Sequence, residues 1–218
     1  VFFDETIHPN GKRLFSARIL PYKGPWLEFS MDINDVMYVH IDRRRKLPVS
    51  LLLRALGLSK NGEILALFRP EIDLDLSSED EEILSLYAGS EDIVDTETGE
   101  VLLEAYEPVN AQALSSLREA GITSIKVFQG TAATDPGVLE NTLKKDPSEN
   151  EGDALNKIYN LLRPGDPPNI ETARGLLDRL FFNPKRYNLG DVGRYRINSR
   201  LDLGIPFESS ILHIEDFI

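Results

Sequence analysis

The densest group of cationic side chains in the sequence is Arg43, Arg44, Arg45 and Lys46, which directly follow Asp42. Four adjacent cations repel one another, so a folded chain needs a polyanion or nearby carboxylates to relieve the repulsion. Guanidinium and ammonium groups bind phosphate through charge-assisted hydrogen bonds. We therefore interpret residues 42–46 as a phosphate-binding segment. The alternative is a surface turn whose arginines pair with local carboxylates, each exposed pair contributing about 0 to 1 kcal/mol.

Other reactive chemistry is scarce in this sequence. Cysteine is absent, and the three histidines, His8, His40 and His213, are far apart, which argues against thiolate or zinc chemistry and against disulfides. Motifs for phosphate-cradling loops, dinucleotides, zinc proteases and serine hydrolases are also missing. We predict that the chain has no catalytic residue and binds no metal or cofactor itself.

The charge is distributed unevenly along the chain. The net charge is −12, which would ordinarily argue against nucleic-acid binding. Residues 71–108 contain 14 Asp and Glu and no Lys or Arg, which leaves 22 acidic against 24 basic residues elsewhere. The acidic segment lacks the glycine and ligand spacing of a calcium loop. We expect it to form a solvated face that repels other polyanions.

No apolar run approaches the roughly 18 residues that a membrane span requires. We therefore expect no contact with a membrane and, in the absence of cysteine, a location in the reducing cytoplasm. The chain begins with Val1-Phe2-Phe3-Asp4 and ends in apolar residues, so we expect it to be a piece of a longer protein, monomeric on its own.

The first 41 residues read as an antiparallel meander. Residues 14–20, 26–32 and 36–41 have strand composition and alternation. They are separated by residues 21–25 and by Asn34-Asp35, which are rich in turn-forming residue types. This pattern brings the basic cluster to the end of a strand.

Several helices are predicted after the meander, over residues 49–56, 62–68, 110–120, 151–162 and 169–182. Asn110 and Asn169 are suitable N-terminal caps for two of them. A strand over residues 101–103 and another over 122–128 flank the third helix. Residues 129–153 are rich in Gly, Thr, Asp, Pro and Lys, and we interpret them as a surface loop.

These elements predict an α+β fold in which an antiparallel meander packs with several helices. Residues 1–70 and 131–218 are expected to form the core domain. Residues 71–130 are expected to form a small, acidic α/β appendage inserted into it.

Five segments of the sequence have a distinctive composition: residues 1–4, 17–27, 41–48, 162–168 and 180–189, the last of which continues over residues 192–198. Among them are the strings Pro21-Tyr22-Lys23-Gly24-Pro25-Trp26 and Ile41-Asp42-Arg43-Arg44-Arg45-Lys46. In this order the segments resemble a known family, the β subunit of bacterial DNA-directed RNA polymerase. The resemblance covers essentially the whole chain.

This resemblance implies that the chain is the lobe, one jaw of the DNA cleft. The implied partners are DNA, the rest of β, the α, β′ and ω subunits, sigma factor and transcription regulators, in the bacterial nucleoid. The assembled enzyme is a nucleotidyltransferase, whose catalytic magnesium ion another subunit holds. The lobe itself is implied to be non-catalytic.

The resemblance also assigns site residues. Trp26 corresponds to a tryptophan that stacks on an unpaired base of the non-template strand, and the alternative is a core tryptophan. Asp42, Arg43 and Arg44, with the adjoining Arg45 and Lys46, correspond to a block that lies near DNA. A gate loop facing the opposite jaw is implied for Asn141, Thr142, Leu143, Lys144, Lys145, Asp146 and Pro147. Lys144 stands where many relatives have arginine, so the bidentate fork of a guanidinium is lost there.

A second function from a different class remains open. The acidic segment could bind a basic partner while the basic cluster is only surface, which would make the chain a protein-interaction module without direct DNA contact.

Overall fold

A computed structural model describes residues 1–69, 71–77, 87–96, 98–105, 107–129 and 137–217. The chain divides into two compact units, one made of residues 1–60 and 141–218 and the other of residues 61–140. The division predicted at residues 71–130 remains a prediction.

The first unit contains a five-stranded antiparallel sheet with strands in sequence order. Its strands are β1 (Phe2–Ile7), β2 (Arg13–Ile19), β3 (Leu27–Met31), β4 (Met37–Ile41) and β5 (Leu47–Pro48). Ile19, Leu27 and Ile41 lie opposite one another on adjacent strands and are all buried. The predicted meander is confirmed, and β1 is a strand that the sequence pattern missed.

Helices cover the buried side of this sheet. They are α1 (Val49–Ala55), α5 (Glu151–Leu162), α6 (Ile170–Leu177) and α7 (Asp191–Leu201), with a π-helical turn at Asp178–Phe182 and a 3₁₀ turn at Ile214–Asp216. Their apolar faces pack with the sheet into one core. Tyr187 belongs to that core, and burial raises the pKa of its phenol because an apolar surrounding disfavours the phenolate.

The second unit has a separate core. The helices of this unit are α2 (Asn61–Phe68) and α3 (Ala111–Glu119). Its three-stranded antiparallel sheet has the order β6 (Glu71–Asp75), β10 (Ser124–Gln129) and β7 (Tyr87–Gly89), and a separate hairpin is formed by β8 (Ile93–Val94) and β9 (Val101–Leu103). The Asn110 side chain caps α3 by accepting a hydrogen bond from the amide of Ala113 at 2.9 Å. Leu114 and Leu117 of α3 pack into the core of this unit.

One sequence prediction was wrong. The surface loop expected over residues 129–153 contains a helix, α4 (Val138–Lys145), while residues 130–136 of that prediction lie outside the described residues. Within its second half Thr142 and Leu143 are buried, and the Thr142 hydroxyl accepts a hydrogen bond from the amide of Met37 at 2.9 Å. An eight-residue helix is marginal by itself, so its stability depends on contacts with residues about one hundred positions away in the sequence.

The two units together confirm the predicted α+β class, with antiparallel sheets and helices in one chain. In the part of the chain that the structure describes, every helix is too short or too polar to cross a membrane.

Candidate nucleic-acid interface

The basic turn, which we define as residues 42–46, connects β4 to β5. The amide of Arg44 donates to the carbonyl of Ile41 at 2.9 Å, which closes a tight reverse turn. Asp42 and Arg43, the two central residues, have positive φ angles of 49° and 59°, as in a type I′ hairpin turn. The amide of Asp42 also donates to the carbonyl of Trp26 at 2.8 Å. The backbone therefore fixes the basic turn beside the start of β3.

The left-handed backbone of the basic turn is unfavourable for one of its residues. Aspartate tolerates this conformation comparatively well, because its short polar side chain can bond locally, but for most L-residues it costs roughly 1 to 2 kcal/mol. Arg43 adopts it nonetheless. Strained backbone of this kind is concentrated at functional sites.

This strain leads to a stability prediction for Arg43. Arg43→Gly and Arg43→Ala both remove the guanidinium, but only glycine relieves the positive φ angle. We expect the glycine variant to be more stable than the alanine variant by about 1 kcal/mol in urea denaturation. At Arg44, which is not among the residues with positive φ, glycine should be no more stable than alanine. Equal stability of the two Arg43 variants would contradict the strained geometry.

Two cations of the basic turn lie over aromatic rings. The guanidinium carbon of Arg43 is 4.1 Å from the centroid of the Trp26 ring, and the ammonium of Lys46 is 3.9 Å from the centroid of the Tyr38 ring. Both distances are within the range of cation–π attraction. Trp26 still exposes 38% of its surface, so the indole lies outside the core and is accessible for stacking.

A small cleft of about 170 Å³ lies beside the indole. It is lined by Arg18, Leu20, Trp26, Glu28, His40 and Arg43. Arg18 and Glu28 form an ion pair at 3.0 Å, and the Nδ1 atom of His40 is 3.1 Å from the carbonyl oxygen of Arg44. Because Arg18 pairs with the carboxylate of the cleft, the negative charge of Glu28 is offset locally.

Within the described residues, the cations of the basic turn have no carboxylate partners. Arg43, Arg44, Arg45 and Lys46 are all exposed, and among the described residues none of them forms an ion pair. The interpretation of this segment as a surface turn with locally paired arginines therefore finds no support among those residues. Four cations on one tight turn produce a positive potential that favours a polyanion.

Arg18 and His40 were not predicted as part of this site. Their positions follow from strand register, because Arg18 lies opposite Glu28 and Glu28 lies opposite His40. Side chains alternate between the two faces of a strand, so these three polar residues share the face opposite the buried Ile19 and Leu27. The alternation along each strand indicates which face a side chain occupies. The pairing register is also needed to show that Arg18, Glu28 and His40 lie side by side.

The residues predicted to form a gate loop are anchored in the first unit. Asn141, Thr142, Leu143, Lys144 and Lys145 form the end of α4, and Lys144, Lys145 and Pro147 are exposed. The Asp146 carboxylate is buried and accepts a hydrogen bond from Nε of Arg54 at 3.1 Å. The segment presents two lysines from a helix end rather than from an extended loop, and its gating role remains a prediction.

The acidic segment belongs to the second unit. A groove of about 790 Å³ there is lined by side chains that include Asp95, Glu100, Glu104, Glu107 and Glu119. Among the residues that the structure describes, no group of three or more potential His, Asp or Glu ligands could hold a metal ion.

Comparison with known proteins shows extensive similarity. The family model described as RNA polymerase Rpb2, domain 2, matches residues 1–111 and 127–218. Proteins named DNA-directed RNA polymerase subunit beta are 40% identical in Flavobacterium johnsoniae and 39% identical in Bacteroides thetaiotaomicron, each over 100% of this chain. The protein of the same name in Porphyromonas cangingivalis is 43% identical over 99% of the chain. The chain spans only 18% of the length of each of these relatives.

Proposed function

The chain belongs to the RNA polymerase Rpb2 domain 2 family and corresponds to a segment of a bacterial β subunit, and on that premise we propose that it is the lobe. It forms one jaw of the DNA cleft and contacts unpaired non-template DNA through Trp26 and the basic turn. The chain takes part in DNA-directed RNA synthesis by holding DNA rather than by catalysing nucleotide addition.

The observation that carries this proposal is the pairing of Trp26 with Arg43. An exposed indole offers a π-face on which any base can stack, and stacking contributes about 1 to 3 kcal/mol per base with little sequence preference. Arg43 holds the indole from one side at 4.1 Å, which reduces its rotational freedom before DNA binds. The three neighbouring cations then attract the phosphates that flank the stacked base.

The distribution of charge supports a DNA-binding edge despite the net charge of −12. The acidic segment belongs to the second unit, while the basic turn, Trp26 and the two exposed lysines of α4 belong to the first. Local potential, rather than net charge, determines where a polyanion binds.

The remaining roles of the chain follow from the same family membership. The lobe assembles with the rest of β and with the α, β′ and ω subunits in the bacterial cytoplasm, at the nucleoid. Sigma factor and transcription regulators dock on it. The catalytic magnesium ion of the polymerase is held by another subunit, and the gate loop residues 141–147 face the opposite jaw.

The salt dependence of DNA binding tests the role of the basic turn. We expect Arg43→Ala with Arg44→Ala to make the slope of log K against log salt concentration less negative. The change should be about 0.7 for each phosphate of a single strand that the variant no longer neutralises. Fluorescence anisotropy of a labelled bubble DNA, titrated at several salt concentrations, measures this slope.

A matched control separates phosphate contact from net charge. Arg174→Ala with Arg179→Ala removes two exposed cations of the same unit and should leave the slope unchanged. If the basic-turn variant and the control behave alike, direct DNA contact by this turn is wrong. That outcome would favour the protein-interaction module, whose partner would bind the acidic groove of the second unit.

A further inference from the structure

The buried face of the five-stranded sheet extends beyond the core onto the β1–β2 hairpin. Ile19 of β2 is buried on this face, opposite Leu27 of β3. Because side chains alternate along a strand, every second residue of β2 continues the same face. Phe15 therefore points to the side of the sheet that the core occupies, although it lies four residues before Ile19 along the strand.

On the hairpin this face is exposed and carries both apolar and charged side chains. Glu5, opposite Phe15, and Arg13, opposite Ile7, form an ion pair on it. Phe3 lies opposite Ala17, and Ile7 lies opposite Arg13, so both share the face of Phe15. The exposed fractions of Phe3, Ile7 and Phe15 are 44%, 69% and 48%. We call these three residues the hairpin face. Exposed apolar side chains that adjoin one another mark interaction sites more often than isolated ones do.

The edge of the sheet is also open at this place. All six residues of β1 are exposed. Among the residues that the structure describes, β1 pairs only with β2 and lies at the end of the strand order. An exposed edge strand with large apolar residues is prone to aggregation unless another element covers it. We therefore expect another element to cover this hairpin.

Two guanidiniums mark one end of the hairpin. Arg200 of α7 lies 5.2 Å from the ring centroid of Phe3, and Arg196 lies 5.8 Å from that of Phe2. Within the described part of the chain neither arginine has a carboxylate partner, whereas Arg13, over Phe15, is paired with Glu5. A segment that covers the hairpin face and carries a carboxylate would therefore complement both its apolar area and its charge.

We propose that the hairpin face is the docking surface for another segment of the same β subunit, one with apolar side chains over Phe3, Ile7 and Phe15 and a carboxylate directed at Arg200. The chain spans 18% of the length of its β-subunit relatives, so most of such a subunit lies outside the matched region. A tethered segment reaches this face at a high effective concentration. The proposal rests on family membership and not on the DNA contact.

Site-specific photo-cross-linking in the assembled polymerase tests this proposal. p-Benzoylphenylalanine is placed in the β subunit at Ile7 or at Phe15, the enzyme is irradiated without DNA, and cross-linked peptides are identified by mass spectrometry. We expect both positions to cross-link within the same β polypeptide, to one common segment outside residues 1–218. Thr6, the neighbour of Ile7 on the opposite face, should not cross-link to that segment.

Two further results decide the identity and chemistry of the occupant. Cross-links to another subunit, to a second copy of β or to sigma factor, or no cross-link at all, would overturn the proposal. Arg200→Glu should lower the cross-link yield several-fold, and an unchanged yield would overturn the acidic character of the segment. Because DNA is absent, these outcomes are independent of whether Trp26 binds a base.

Discussion

Trp26→Ala is expected to weaken binding to bubble DNA by about 1 to 3 kcal/mol, which corresponds to roughly 5- to 150-fold in affinity. The indole is exposed and held by Arg43 at one face. Replacing it with alanine removes the whole stacking surface, while the cations of the basic turn remain. Anisotropy titration of a bubble DNA at constant salt measures the decrease in affinity.

The controls for this prediction separate stacking from folding. Trp26→Phe should retain most of the affinity, because a smaller aromatic ring can still stack. Phe207→Ala removes another exposed aromatic side chain of the same unit and should leave the affinity unchanged. A Trp26→Ala variant that binds bubble DNA as tightly as the unmodified chain would contradict the stacking role.

Arg194→Met is expected to lower the free energy of unfolding by about 3 to 5 kcal/mol. Arg194 and the Asp216 side chain are fully buried, and their two hydrogen bonds measure 2.6 and 3.1 Å. The guanidinium also donates to the carbonyls of Ser209 and Ile211. Methionine fills much of the volume but leaves the carboxylate of Asp216 buried without its counter-ion.

Urea denaturation measures this effect, and two variants provide the comparison. Arg174→Ala breaks an exposed ion pair with Glu151 and should cost at most about 1 kcal/mol. Adding Asp216→Leu to Arg194→Met removes the orphaned charge and should recover a large part of the stability. A single Arg194→Met variant within about 1 kcal/mol of the unmodified chain would be inconsistent with a buried, mutually dependent pair.

Local chemistry was sufficient to predict most of the elements. Asn110 and Asn169 cap their helices through side-chain oxygens that accept from backbone amides, and this preference depends on the residue type alone. Turn residues between alternating apolar strands likewise predicted the meander. In these elements the short-range preferences and the final packing agree.

The prediction failed where distant contacts decide the structure. Helix α4 has Glu140 in its first turn and Lys144 and Lys145 in its last, a favourable arrangement for the helix dipole. These signals were weaker than the turn-rich composition around them. What stabilises its second half is burial of Thr142 and Leu143, together with the hydrogen bond from Met37, which no local window contains.

The candidate site shows the same contrast between local sequence signals and contacts of distant residues. The density of cations identified the basic turn from composition, and the resemblance to the family identified Trp26. Neither could predict that the backbone of Asp42 binds the carbonyl of Trp26 or that Arg43 stacks on its ring. Those contacts depend on the register of β3 against β4, which fixes the two segments side by side.

The fluorescence of Trp26 tests the central claim most directly, because it is the single tryptophan of the chain and reports on this site alone. At low salt, with anisotropy of the labelled DNA confirming complex formation, bubble or single-stranded DNA should quench the emission, and fully paired duplex should quench it far less. Raising the salt concentration should restore the signal as the complex dissociates. Binding of bubble DNA with no change in Trp26 emission would contradict base stacking at this site.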